Sequence, residues 1–164
     1  MLNQEDFIEN EKVGALIRKL NDIDGDYMNS EMEVMVEKQP FIISLLLGYR
    51  SDFNTEELED IAKVLFLIWE FFKDSNNIPS KQIHAQQFEK VQERNISMLR
   101  YLDGVNTEEE HSFVSKSDLS HLKSKALLTG VMYQFDHLQS LSKMGINEKS
   151  MLIIGMKSLI ECFE

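Results

Sequence analysis

Five oxygen-bearing side chains recur at short intervals between residues 22 and 33. Asp22, Asp24 and Asp26 alternate with other residues, and Ser30 and Glu33 follow them along the chain. A hard divalent cation such as calcium binds about six to eight oxygen ligands, and one carboxylate can supply two of them. The spacing therefore predicts, as one hypothesis, a calcium site made by these residues.

The same twelve-residue segment resembles the calcium-binding loop of EF-hand proteins, with its oxygen ligands at loop positions one, three, five, nine and twelve. It departs from that family at position six, where Tyr27 replaces the glycine of the sharp turn, and at position eight, where Asn29 replaces an apolar residue. The chain has no second loop of this kind. A competing interpretation makes Ser30 and Glu33 a capping box that begins a helix, with the aspartates forming a polar turn. Both interpretations stay open, and no metal ligand is assigned.

Carboxylates and histidines one helical turn apart form a second group of possible metal ligands. Glu108 and His111 make one such pair, and Asp118 and His121 make another. Di-iron helix bundles use this spacing together with glutamates that project inward from two other helices. Glu70, inside an apolar run, is the good candidate for such a glutamate. The pattern offers a helical-bundle metalloenzyme as a further alternative.

The remaining residues that could do chemistry carry no catalytic motif. His84 and His137 each share a helical stripe with apolar residues, which is typical of half-buried, hydrogen-bonded histidines. The sequence lacks the Gly-x-Ser-x-Gly motif, the Walker phosphate loop and the dinucleotide fingerprint. We expect Cys162, near the end of the last predicted helix, to pack in the core. The sequence therefore assigns no catalytic residue and favours a protein that is not an enzyme.

The chain of 164 residues is acidic, and its acidity is concentrated near the beginning. Its formal charge is -11, and residues 1–60 alone account for -10 of it. A protein that binds nucleic acid needs a basic surface to displace phosphate counterions, so this balance argues against that class. The excess predicts that a cation or a basic protein surface is attracted to the first third of the chain. An acidic face that keeps the protein soluble explains the same charge.

Neither a secretory signal nor a membrane span is predicted. The first residues are polar and acidic, without the basic and apolar regions of a signal peptide. The longest apolar runs, 41–47 and 64–72, are much shorter than the roughly 20 residues of a membrane helix. A single cysteine suits a reducing compartment. We expect a cytoplasmic protein that does not interact with membranes.

Helix start signals followed by helical spacing predict an all-α, single-domain bundle of about six helices over residues 1–164. The predicted helices are 4–20, a segment that opens at Ser30 and breaks at Pro40, 54–74, 80–102, 116–143 and a last one from Glu148 that Asn147 caps. Apolar residues on two faces make the long fifth helix the central one. On it, Ala126 and Gly130 allow a neighbouring helix to approach closely.

The apolar runs at 41–47 and 64–72 also carry the functional prediction. A helix that is apolar nearly all round must be covered by its own chain or by a second subunit. Because the chain has no catalytic motif, the leading hypothesis is a protein-interaction or assembly module, either a homo-oligomer or a binder of another protein. The alternatives are the calcium-binding protein and the metalloenzyme described above.

Overall fold

A computed structural model describes residues 4–74, 82–104, 107–109, 112 and 119–164 of the chain. These residues form eight helices and no strand. The helices are α1 (Gln4–Asn21), α2 (Gly25–Lys38), α3 (Pro40–Tyr49), α4 (Thr55–Lys73), α5 (Ala85–Asp103), α6 (Lys125–His137), α7 (Gln139–Ser142) and α8 (Ile146–Phe163). The all-α class is confirmed, and the number of helices is eight rather than about six.

Two of the predicted helix signals act as expected. Asn54 and Glu57 form a capping box at the start of α4, each side chain accepting a hydrogen bond from the other residue's amide over 2.9–3.0 Å. Pro40 separates α2 from α3 and is the first residue of α3. Proline suits that position because the first-turn amide has no partner within the helix and its φ is already helical.

Two predicted helix starts are wrong. Helix α2 begins at Gly25 because Asp24 caps it, its Oδ1 accepting a hydrogen bond from the Tyr27 amide over 2.8 Å. Aspartate caps as well as serine does, so a helix that starts there places Ser30 in its interior. Helix α8 begins at Ile146 with Gly145 as its N-cap, two residues earlier than a start at Glu148 capped by Asn147.

The predicted fifth helix, 116–143, is also wrong within the described residues. Helix α6 begins only at Lys125. Just before it, the Glu164 carboxylate accepts hydrogen bonds from the amides of Lys123 and Ser124 over 3.0 and 2.6 Å. Residues 116–118 of the predicted fifth helix lie outside the described residues, and so does Ser80, the predicted start of the fourth helix. The prediction fails because Glu164, which binds these two amides, comes from a distant part of the chain.

The same predicted helix breaks at Leu138, which is extended, with ψ at 131°. Asp60 on α4 accepts hydrogen bonds from the Ser140 amide and hydroxyl over 3.1 and 2.6 Å. These bonds hold the short helix α7 against α4 in a direction that differs from that of α6. One long predicted helix is therefore two shorter ones.

Helix α4, rather than the predicted fifth helix, is central. Eleven of its residues are buried, and it packs against α1, α3, α6, α7 and α8. The apolar run 64–72 is thus covered by the chain itself. Gly130 on α6 admits Val13 of α1 so closely that a Cβ at residue 130 would collide with it, as the predicted close approach requires. None of the described helices has the length and apolar character to cross a membrane.

Helices α5 and α8 are joined by buried polar contacts. Lys157 Nζ donates hydrogen bonds to Asn95 Oδ1 over 2.7 Å and to Glu161 Oε1 over 2.6 Å. Asn95 donates in turn to Ser158 over 2.9 Å. Because a buried charge is costly unless paired, these bonds restrict how the two helices can slide against each other. These bonds hold α5 against α8, and another side of α5 faces α3.

Candidate functional site

Three of the five candidate calcium ligands lie on a helix and not in a loop. All five are exposed; Asp22 follows α1, Asp24 caps α2, and Asp26, Ser30 and Glu33 lie within α2. A helix rises about 1.5 Å per residue, so Asp26 and Glu33 are about 10 Å apart along its axis. Calcium binds its oxygen ligands at about 2.3–2.6 Å, and these residues are too spread out to share one ion.

No group of three or more histidine, cysteine, aspartate or glutamate side chains among the described residues could hold a metal ion. Of the histidine pairs, His111 and Asp118 lie outside the described residues, whereas Glu108 and His121 are described. Glu70, the expected metal-binding glutamate, is buried and contacts no described histidine. The described part of the chain thus offers the metalloenzyme hypothesis no ligand set.

Glu70 is instead the acceptor of a buried ionic cluster between α1, α2 and α4. Its Oε2 accepts a hydrogen bond from Lys19 over 2.9 Å, and its Oε1 accepts from Lys73 and the Tyr27 hydroxyl over 2.9 and 2.7 Å. Lys73 also pairs with Glu31 over 3.2 Å. Two lysines and two glutamates balance each other, so the cluster joins helices without presenting net charge to a ligand.

Hydrogen bonds decide the ionisation of this cluster. Burial alone would raise the pKa of Glu70, but the bonds from Lys19, Lys73 and Tyr27 outweigh it and lower that pKa below 4.5. Burial would lower the pKa of Lys73, and its bonds to Tyr27, Glu70 and Glu31 raise it above 10.5. Both groups are charged at neutral pH, so neither is poised to transfer a proton there.

The two remaining histidines do not meet. His84 is the N-cap residue of α5, whereas His137 is the last residue of α6, and they line different surface grooves. His137 bonds to the Tyr133 carbonyl over 2.8 Å and stacks on that ring. Asp60, in the same groove as His137, is already bonded to Lys63 and Ser140. Among the described contacts, none joins His137 to Ser140 or Asp60, so these three side chains do not form a relay.

Helix α3 is apolar in sequence, but little of it is fully buried. Its sequence from Phe41 to Leu47 is apolar except at Ser44, yet Ile42 alone is fully buried. Leu47 is 60% exposed. Contiguous apolar surface of this kind marks binding sites more often than isolated exposed leucines do. Helix α3 is thus one candidate for a binding surface, beside α1, whose Phe7 and Ile8 are 59% and 60% exposed.

One flank of α3 faces α5 across an open groove of about 340 Å³. Ten residues line it: Phe41, Ser44, Leu45, Gly48, Tyr49, Asp52, Ala85, Phe88, Glu89 and Gln92. Those from α3 and the turn after it recur at helical spacing, as do those from α5, so each wall is one helix stripe. We call it the α3–α5 groove.

Aromatic rings form the floor of the α3–α5 groove. Phe41 and Phe88 pack with their ring centroids 5.0 Å apart. Tyr49 reaches α8, where a Cβ on Gly155 would lie only 2.6 Å from its hydroxyl oxygen. Burial raises the pKa of Tyr49 to about 12, so its phenol is neutral at physiological pH. The floor is therefore apolar and uncharged.

The lining of the α3–α5 groove is acidic. Asp52 from the α3 wall and Glu89 from the α5 wall are both exposed, and none of the described residues that line the groove is a lysine or an arginine. Neither carboxylate forms an ion pair with another described residue. The groove thus combines an apolar floor with unneutralised negative charge.

The sequence shows a part of each wall but not the groove between them. The apolar run 41–47 is visible in the sequence, and so is the stripe that includes Phe88. Nothing in the sequence brings the two together, because they meet through contacts between residues 47 positions apart, Phe41 and Phe88. The ionic cluster was missed for the same reason, although Lys73 stands one helical turn after Glu70.

Comparisons with protein-family models, with curated proteins and with solved structures give no match for this chain.

Proposed function

We propose that this protein is a non-enzymatic interaction module that binds a basic surface of another protein through α3. The observation that carries the proposal is the incomplete burial of α3, which is apolar at every position from Phe41 to Leu47 except one and buries only Ile42 fully. The run at 64–72 needs no partner, since α4 is covered by its own chain. Helix α3 is therefore where a partner would find apolar surface.

Charge favours a basic partner. Residues 1–60, which include α3, carry a net charge of -10. Long-range attraction of this sign speeds the encounter with a positively charged surface, and apolar contact then holds the complex together. A second copy of this chain would bring surfaces of like charge together.

Site-specific photo-crosslinking in the native cells tests the proposal. A photoreactive phenylalanine analogue at Ser44, which is exposed on α3, is compared with the same analogue at Met151, which is 69% exposed on α8. We expect the analogue at residue 44 to yield one recurrent partner that residue 151 does not. The same set of proteins from both positions would contradict the proposal.

The captured partner must then be purified and its affinity measured by calorimetry. We expect Leu47→Asp to weaken binding at least about tenfold, because an apolar contact is replaced by a desolvated charge. Met151→Asp is the matched control, since it adds the same charge at an exposed apolar residue on another helix. Equal affinities of the two variants would show that α3 is not the docking element.

The predicted homo-oligomer depends on the same helix. Sedimentation equilibrium at high micromolar concentration distinguishes a second copy from a different partner. A dimer that Leu47→Asp converts to monomer would identify the second copy as the occupant of α3. We expect a monomer, since the acidic surfaces repel one another.

A further inference from the structure

We propose that the α3–α5 groove binds an amphipathic helix whose apolar stripe is bordered by lysine or arginine. This inference rests on the proposed function and names the chemistry of the partner. Recognition of an amphipathic helix in an apolar groove is a recurrent mode of peptide binding, read by side chains at helical spacing. The groove has the shape, the floor and the charge that this mode needs.

The shape follows from the two walls. Along α3, lining residues recur from Phe41 to Tyr49, a length of about 12 Å or two helical turns, and Asp52 lies in the turn after it. Ser44 and Gly48, one turn apart, have small side chains, and nothing lies within 4 Å of a Cβ placed on Gly48. The backbone of a third helix can therefore approach α3 closely between the larger residues.

The floor suits apolar anchors. A groove of about 340 Å³ holds about two aromatic-sized groups, since a cavity of about 150 Å³ holds one benzene molecule. The half-buried Phe41 and Leu45 supply the contacts, and the buried Phe88 ring packs against Phe41. Two large apolar side chains of a partner helix, one turn apart, would cover surface that the chain leaves half-exposed.

The negative charge of the groove selects which residues border the apolar stripe of the partner helix. Asp52 and Glu89 stand one on each wall, both exposed and without an ion pair to a described residue. A lysine or arginine on each side of the apolar stripe would meet an opposite charge. Glutamate at those positions would meet a like charge, so the groove discriminates as well as attracts.

Synthetic helices test this inference with purified protein. The probe is a fluorescein-labelled, alanine-based peptide of about 15 residues, long enough for partial helicity. Its leucines repeat at helical spacing and lysines border them; a matched peptide carries glutamate in place of every lysine. Fluorescence anisotropy at low salt measures both. We expect the lysine peptide to bind about tenfold more tightly than the glutamate peptide, and the difference to shrink at high salt.

Charge reversal locates the site. In the double variant Asp52→Lys/Glu89→Lys, we expect the preference to invert, so that the glutamate peptide binds more tightly. The control, Glu11→Lys/Glu33→Lys, makes the same change in net charge at two exposed residues away from the groove. It should retain the preference for lysine. Circular dichroism and thermal melting confirm that both variants are folded.

Three results would overturn the inference. Equal binding of the two peptides to the natural protein would show that charge does not select the partner. An inversion of equal size in both double variants would show that net charge, not the groove, discriminates. Absence of binding by either peptide would show that the groove does not accept a helix. Crosslinking at residue 44 and the effect of Leu47→Asp test the proposed function separately. The proposed function can therefore hold when this inference fails.

Discussion

The Tyr27 hydroxyl donates a hydrogen bond to Glu70 Oε1 over 2.7 Å and accepts bonds from Lys19 and Lys73 over 2.7 and 2.9 Å. One oxygen atom on α2 thereby joins α1 and α4. A hydroxyl has one proton to donate and two lone pairs to accept with, so all its hydrogen-bonding capacity is used. The cluster gives Glu70 a structural role in place of the metal-binding role that its sequence context suggested.

Removing this hydroxyl should weaken the joint between the three helices. We expect Tyr27→Phe to lower the free energy of unfolding by about 1–2 kcal/mol, because hydrogen bonds to charged groups are lost while the ring remains. Urea unfolding at neutral pH measures the change. Tyr101→Phe is the control, since Tyr101 is 63% exposed, and it should change the free energy by less than about 0.5 kcal/mol. Equal effects would show that the cluster contributes nothing.

The Glu70 carboxylate should make stability depend on pH. Its pKa is lowered in the folded state, so the stability that it contributes is present above its ordinary pKa of 4.5 and is lost as pH falls through the folded-state value. Lys73 has a raised pKa, and its contribution is full below 10.5 and lost at higher pH. Between these limits the cluster is fully ionised.

Comparing Glu70→Gln with the natural protein isolates the part of the stability that is lost at acidic pH. At neutral pH we expect the variant to be less stable by roughly 2–3 kcal/mol, because two lysines lose a buried partner. The gap should begin to narrow below pH 4.5, where Glu70 of the unfolded chain takes up a proton, and should close as pH falls through the lowered folded-state pKa, below which protonated Glu70 resembles glutamine. Urea midpoints measured at pH 7 and about pH 3 give the gap. A gap that stays the same at both pH values would refute the assignment.

Two glycines should respond oppositely to alanine. At Gly130 the new methyl group collides with Val13, a buried and stiff side chain of α1, and overpacking of this kind costs about 1–3 kcal/mol. At Gly14 the methyl group would meet only Arg18 Nη1, at 3.5 Å, so alanine should stabilise α1 by up to about 1 kcal/mol. Thermal unfolding of both variants checks the pair. Stabilisation by Gly130→Ala would mean that α1 and α6 are not closely packed there.

Calcium should leave the melting temperature unchanged. Within residues 22–33, α2 begins at Gly25 and spreads Asp26, Ser30 and Glu33 along its axis, so their oxygens do not converge on one ion. A ligand that binds only the folded state raises stability by mass action. Calorimetric scans with excess calcium and with a chelator therefore decide the hypothesis. A higher melting temperature with calcium would show that the segment rearranges into a loop.

Local signals predicted the fold wherever the relevant atoms were close in sequence. The capping box of Asn54 and Glu57 and the break at Pro40 depend on residues within one turn of each other, and both are as expected. Where several local signals compete, the choice fails: Asp24 and Ser30 are both good helix caps, and the earlier one is used.

The candidate site was predictable only in part. The apolar run of α3 and the acidity of residues 1–60 are properties of the sequence, and they led to an interaction module with a basic partner. Which apolar run remained uncovered was not predictable. The run 64–72 is the more apolar all round, yet it lies in the centre of the core, and the shorter helix α3 lies at the surface.

The sequence by itself determined the helical class, the position of most helices and the concentration of negative charge in the first third of the chain. These follow from hydrophobic periodicity, capping residues and composition. Periodicity and capping depend on residues that are close in sequence, and composition does not depend on their order. Tertiary structure alone decided that Glu70 binds lysines, that Glu164 and Asp60 divide the predicted fifth helix, and that α3 faces α5. Each depends on side chains that are distant in sequence, and packing of the core determines which of them come within hydrogen-bonding or van der Waals distance.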